Sequence, residues 1–249
     1  MVTERRGRDF DLKGAASAAI AVSFAIFAIL LRGIHVRRPQ PHPEERSDFR
    51  AARRFVRTNR PIRATTVMFM LFNLGFGEVI VLLPVYTREV LDAGSGTYGL
   101  LLASLTAGEL IGSFAVGAVE VHWPLARTIA ATQLAVGGVY LAFAWKPGLA
   151  VVLPVLVLLG ALTAPLTIWA QTLRMREIPA HIRGRVFALL RTAMQGTTPA
   201  GSAISGPALA SFGIGPAVVA IATCIGLPGG VGLVHRDLSP QHDPSTQPA

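Results

Sequence analysis

Two carboxylates stand inside long apolar stretches of this 249-residue chain: Glu78 within residues 64–87 and Glu109 midway along residues 97–119. A charge near the centre of a bilayer costs roughly 2.5–3.5 kcal/mol on insertion scales, so each needs a partner, a cavity or a role. The chemistry open to a carboxylate in such a place is proton uptake and release. Polar side chains also recur at helical spacing. Thr106, Glu109 and Ser113 share one face, and Thr163, Thr167 and Gln171 follow every four residues. Further on, Arg191, Gln195, Thr198, Ser202 and Ser205 recur at intervals of four, three, four and three. Stripes of this kind mark faces turned away from lipid. They suit two readings: a hydrophilic path for protons and a small-molecule substrate, or interhelical hydrogen bonds that hold a bundle together. Gln133 stands alone in its stretch and reads as packing, and Arg191 lies near enough to a span end to snorkel.

Elements able to carry these stripes follow from the apolar pattern. Seven stretches, residues 14–31, 64–87, 97–119, 128–145, 148–173, 186–210 and 214–234, each reach or approach the roughly 18–25 residues that cross a bilayer. In lipid the backbone must satisfy its own hydrogen bonds, so each is expected as a transmembrane helix. The fold class expected is an all-α, polytopic bundle of about seven spans. Half the residues are hydrophobic and 15% are charged. Residues 14–31 run too long for a usual signal core, and Arg32 follows directly without a cleavage site, so a retained span is expected.

The net charge of +9 has a topological explanation. The segment between spans one and two, residues 32–63, holds ten Arg, and basic residues collect on the cytoplasmic side. That places residues 1–13 outside as a tail and 32–63 inside as an Arg-rich linker. A six-span bundle then covers 64–234, and 235–249 forms a disordered cytoplasmic tail. Arg127 and the cluster Arg174, Arg176, Arg183 and Arg185 fall inside; Arg88 and Lys146 fall outside. Within the linker, Ser47 or Asp48 can cap a short helix with Phe49, Ala52 and Val56 on one face. Asn59-Arg60-Pro61 stops it. Its Arg side chains suit anionic headgroups. A nucleic-acid patch is not expected, because base-stacking aromatics are lacking apart from two Phe on the apolar side.

Pro84, Pro154, Pro165, Pro199, Pro207, Pro216 and Pro228 lie within or beside the spans; transporters use such breaks to hinge helices, and Pro and Gly are also simply commoner in membrane helices. Enzyme motifs are absent: no phosphate loop, nucleophile elbow or H-E-x-x-H appears. The single Cys224 excludes a Cys-based metal cluster, and the six His show no ligand spacing, so no enzyme activity, cofactor or metal is expected.

The run PAHIRGRVFALLRTAMQGTTPAGSAISGPALASFG, with LTIWAQTLRMREIP before it, resembles the tenth and eleventh helices of major facilitator superfamily transporters. FRAARRFVRTNRPIRATTVMFMLFN resembles their central loop and seventh helix. LPVYTREVLDAGSGTYGLLLASLTAGELIGSFAVG resembles the region from the seventh to the eighth. The likeness is strongest to bacterial drug and siderophore exporters of the enterobactin-exporter type. It implies helices six to twelve of a twelve-helix fold in a bacterial inner membrane, hence the C-terminal half of an exporter. A second chain would supply the missing N-terminal half, or a homodimer would form. The alternative is a non-transporting remnant or assembly subunit. For the cytoplasmic turns the resemblance implies gating roles for Glu120, Arg127, Arg183, Gly184 and Arg185, although the turn after the eighth helix offers only Gly117, Glu120 and Arg127.

The Arg distribution yields a direct expectation. With Cys224 replaced, a cysteine placed at position 47 is labelled by an impermeant reagent only after the cells are opened, and labelling in intact cells reverses the orientation.

Overall fold

A computed structural model describes residues 45–118 and 123–234, all of whose regular elements are helical. The expected first span, both tails and residues 32–44 of the linker lie outside the described residues, as does Glu120. Helix α1 is Glu45–Thr58, α2 Arg60–Glu89, α3 Ser95–Ala118 and α4 Leu125–Tyr140, prolonged by a 3-10 turn, Leu141–Trp145. Helices α5 (Leu149–Glu177), α6 (Arg183–Gln195), α7 (Thr197–Phe212) and α8 (Ile214–Val234) complete the described fold. Among the described residues, five segments are long and apolar enough to cross a membrane: α2, α3, α4 with its 3-10 turn, α5 and α8.

The linker's end folds as its residues require. In α1, Ala52 is fully buried and Phe55 and Val56 half-buried, whereas Arg50, Arg53, Arg54 and Arg57 are exposed. Phe49, expected on the apolar face, is also exposed. Asn59 ends this helix and caps the next. Its Oδ1 accepts from Ile62 N at 2.9 Å, with Pro61 in the first turn, where a missing N–H costs nothing. The same side chain donates from Nδ2 to Glu177 Oε2 at 3.2 Å, tying the start of α2 to the end of α5.

One span departs from the expectation. Residues 186–210 were expected as one helix, but the chain divides at Gly196 into α6 and α7. Pro199 explains this: it has no N–H to give the Gln195 carbonyl, and its ring crowds that carbonyl. Pro84, Pro154, Pro165, Pro207 and Pro228 lie inside helices that continue through them. Helix α7 ends at Gly213, whose φ of 75° and ψ of −180° suit only glycine.

Helices pair along small-residue seams: α3 on α5, α4 on α8, and α2 on α7 and α8. Gly108 faces the Val157 carbonyl and Gly160 faces that of Leu105, so a Cβ at either would overlap backbone. Gly137 and Gly226 meet between α4 and α8; Gly77 and Gly201 bring α2 against α7. In lipid there is little hydrophobic drive to associate helices, so this close van der Waals approach is what holds them. Side chains add polar ties across the seams. Gln133, fully buried, donates to Met68 O at 3.0 Å; Ser202 and Ser205 donate to Gly77 O and Glu78 O at 2.8 and 3.2 Å.

The seam predicts unequal tolerance within one pair of helices. Gly160→Leu should destabilise the detergent-solubilised protein by about 1–3 kcal/mol through overpacking, read as a lowered Tm. Gly99→Leu, with nothing within 4 Å of its added Cβ, should leave Tm nearly unchanged.

Candidate functional site

Two adjoining cavities open between α2, α3, α5 and α6. The first, of about 560 Å³, is lined by Phe69, Phe72 and Asn73 of α2 and by Thr167, Gln171 and Arg174 of α5. Phe187, Arg191, Met194 and Gln195 of α6 close its other side. The second, of about 400 Å³, is bordered by Glu109 and Ser113 of α3, Thr163 and Thr167 of α5, and Tyr140 of α4. Phe72, Asn73 and Thr167 line both cavities and form the junction. The small-residue approach of α3 to α5 brings the Glu109 stripe beside the Thr163 stripe. The break at Gly196 ends α6 just after Gln195.

Most of the polar stripe in α5 faces this path. Thr163 and Thr167 satisfy their hydroxyl protons on backbone carbonyls one turn back, at 3.0 and 3.1 Å, which leaves their oxygens as acceptors. Gln171 accepts from Arg174 Nη1 at 3.2 Å, and Gln195 accepts from Arg191 Nε at 3.1 Å. Asn73 donates from Nδ2 to Phe69 O at 2.7 Å, keeping its amide oxygen as an acceptor at the junction. Glu109 is exposed on the surface of α3, and its carbonyl accepts from Ser113 Oγ at 2.7 Å.

The structure therefore brings together Glu109, Thr163, Thr167, Gln171 and Gln195. It places Glu78 and Thr198 elsewhere. Glu78 lines neither cavity; it is half-buried where α2 meets α7 and lies near Cys224 of α8. The backbone of Thr198 packs against Gly77, and Ser202 and Ser205 bond α2. Thus the single stripe read along residues 191–205 separates at Gly196: Arg191 and Gln195 go to the cavity, and the rest serve the α2–α7 seam.

The turn residues hold helix ends. Arg183 donates from Nε and Nη2 to Ile178 O at 3.2 and 3.1 Å, and from Nη2 to Met175 O at 3.3 Å. It satisfies carbonyls that the end of α5 would otherwise leave open. Gly184 is exposed and Arg185 half-buried in the first turn of α6; Arg127 is exposed in the first turn of α4.

Two cavity residues were not singled out from the sequence. Arg174 was placed in the inner loop because the apolar run stops at 173, yet α5 continues to Glu177 and buries it at 5% exposure. Its signal was present: it continues the Thr163–Thr167–Gln171 stripe by one i+3 step. Asn73 was hidden among Phe69, Phe72 and Phe76, an amide with no periodic partner on its own helix.

No curated protein and no solved structure matches this chain. A family model does, over residues 12–247, and its description is transmembrane secretion effector. That match spans the helical bundle and both cavities. The chain belongs to the transmembrane secretion effector family, and is with it a multi-pass membrane transporter of the major facilitator type.

Proposed function

We propose that this chain works in a secondary active exporter of small molecules, driven by protons, with Glu109 as the proton-carrying group. The path runs from Glu109 through Thr163, Thr167 and Asn73 to Gln171 and Gln195. The observation that carries the reading is the place of Glu109. It stands well inside an apolar helix, exposed on this chain's surface, at the rim of a cavity continuous with a polar path. No basic side chain is an ion-pair partner to it among the described residues. An ionised carboxylate facing hydrocarbon is costly, so this face calls for protonation, water or a second body.

A second body suits the fold as well. Transporters of this type move substrate by rocking two halves about a site at their interface. A second copy of this chain, or another chain with the complementary half, laid over α2, α3 and α5 would enclose both cavities and cover Glu109. The finer assignment rests on the sequence motifs around Arg183-Gly184-Arg185 and the central loop. It is a bacterial inner-membrane exporter of drug or siderophore type, this chain corresponding to helices six to twelve.

Flux measurements test this directly. The full chain in liposomes should move a fluorescent dye when a proton gradient is imposed, in preparations where crosslinking shows a dimer. Glu109→Gln should abolish that flux with Tm preserved, whereas Glu78→Gln should retain most of it. Unchanged flux in Glu109→Gln removes proton coupling through this residue, and flux from a monomer removes the second body.

A further inference from the structure

Among the described residues, the guanidinium of Arg174 is a buried charge without a counter-ion. The residue is 5% exposed. Its Nη1 meets the neutral Gln171 Oε1 at 3.2 Å and its Nη2 meets the Met194 sulfur, a weak acceptor, at 3.1 Å. Its Nε is buried with no hydrogen-bond partner. The ring of Phe69 lies 5.0 Å from Cζ, close enough for a cation–π contact. Arginine does not shed its proton in such a setting, so burial leaves a full positive charge half-satisfied. A snorkelling arginine would carry its head out to water; this one turns its head into the cavity wall.

Among the described residues, the cavity has no acid to answer it. Its charged lining consists of Arg174 and Arg191, and no Asp or Glu borders it. Glu177, three residues along the same helix, is held by Asn59. Glu109 borders the adjoining cavity instead. Beside the two cations stand three aromatic rings, Phe69, Phe72 and Phe187. The volume of about 560 Å³ falls within the range of small-molecule sites.

We propose that this cavity is an organic-anion site. The anionic group, a carboxylate, sulfonate or phosphate, pairs with Arg174 and is steered by Arg191, while a flat apolar body lies against the phenylalanines. A guanidinium's Nε and Nη form a donor fork that matches two oxygens of such a group, and an anion that displaces the weak Met194 contact at Nη2 reaches it. The bound anion replaces the missing counter-ion, so selectivity for a charged over a neutral isostere is built into the site. The same chemistry is offered by two sources, a soluble aromatic acid and the phosphate of a lipid headgroup at the Arg-rich end of the bundle. The inference rests on the transporter reading only in making the anion a cargo; binding itself needs no transport.

Equilibrium binding therefore tests it apart from flux. The purified full chain in phosphatidylcholine nanodiscs is titrated calorimetrically with 1-naphthoate and, separately, with the neutral 1-naphthamide. Naphthoate should bind at least about ten-fold tighter, the scale of one charge-assisted hydrogen-bonded pair. Arg174→Gln should erase the preference, Arg174→Lys should keep part of it, and Arg191→Gln should keep most. Nanodiscs containing phosphatidylglycerol separate the sources. Loss of naphthoate binding there assigns the site to a lipid phosphate, and unchanged binding assigns it to a soluble anion; both uphold an anion site. Equal affinity for acid and amide, or no binding of naphthoate by the wild-type protein, overturns the proposal whether or not the Arg174 variants fold. Loss of proton-driven flux with the preference intact would overturn the exporter and leave this site standing.

Discussion

Close approach of helix backbones at glycine is the constraint on which this bundle depends. Lipid offers no hydrophobic reward for joining two apolar helices, so attraction must come from atoms that touch. Gly108 and Gly160 let α3 and α5 meet backbone to backbone, and Gly137 with Gly226 does the same for α4 and α8. These meetings fix the rotation of each helix about its axis. Once α3 is set by Gly108 and Gly112, residues one position away are set too, and Glu109 comes to the cavity rim. The site is thus a geometric consequence of where the small residues lie.

Polar groups in the spans are divided between two uses. Ser202, Ser205, Thr197 and Gln133 bond backbone carbonyls of α2, which strengthens seams where no water can compete. Thr163, Thr167, Gln171, Asn73 and Gln195 line open volume instead. The division is sharpest at Gly196, where Pro199 breaks the helix and the two segments turn their polar faces to different neighbours. A helix without that break would carry one stripe along one line. With it, the upstream half serves the cavity and the downstream half serves packing.

Charge follows the same logic. The bundle holds an acid at one cavity and two arginines at the next, with Phe72, Asn73 and Thr167 between them. Among the described residues, none of these charges is neutralised by a side chain of the opposite sign across that junction. A path with separated, unneutralised charges suits a protein that must bind and release ions, since a fully paired set would be rigid and spent.

Hydropathy alone determined the class of this protein. Runs such as 64–87, 97–119 and 148–173 cannot satisfy their backbones in lipid except as helices, and the folded segments contain them with ends shifted by a few residues. Asn59 and Pro61 announced the boundary between α1 and α2 because capping is a local interaction. The stripe of α5 was legible for the same reason: helical periodicity sets a face before any neighbour is present. Which face meets which neighbour was not legible. Glu78 and Glu109 look alike along the chain, and only tertiary packing puts one beside Ser205 and the other at a cavity. Arg174 reads as a loop residue until α5 is seen to continue past it, and Asn73 gains meaning only opposite Thr167. Contacts of this kind join residues about a hundred positions apart, and a helical period carries no information across that distance.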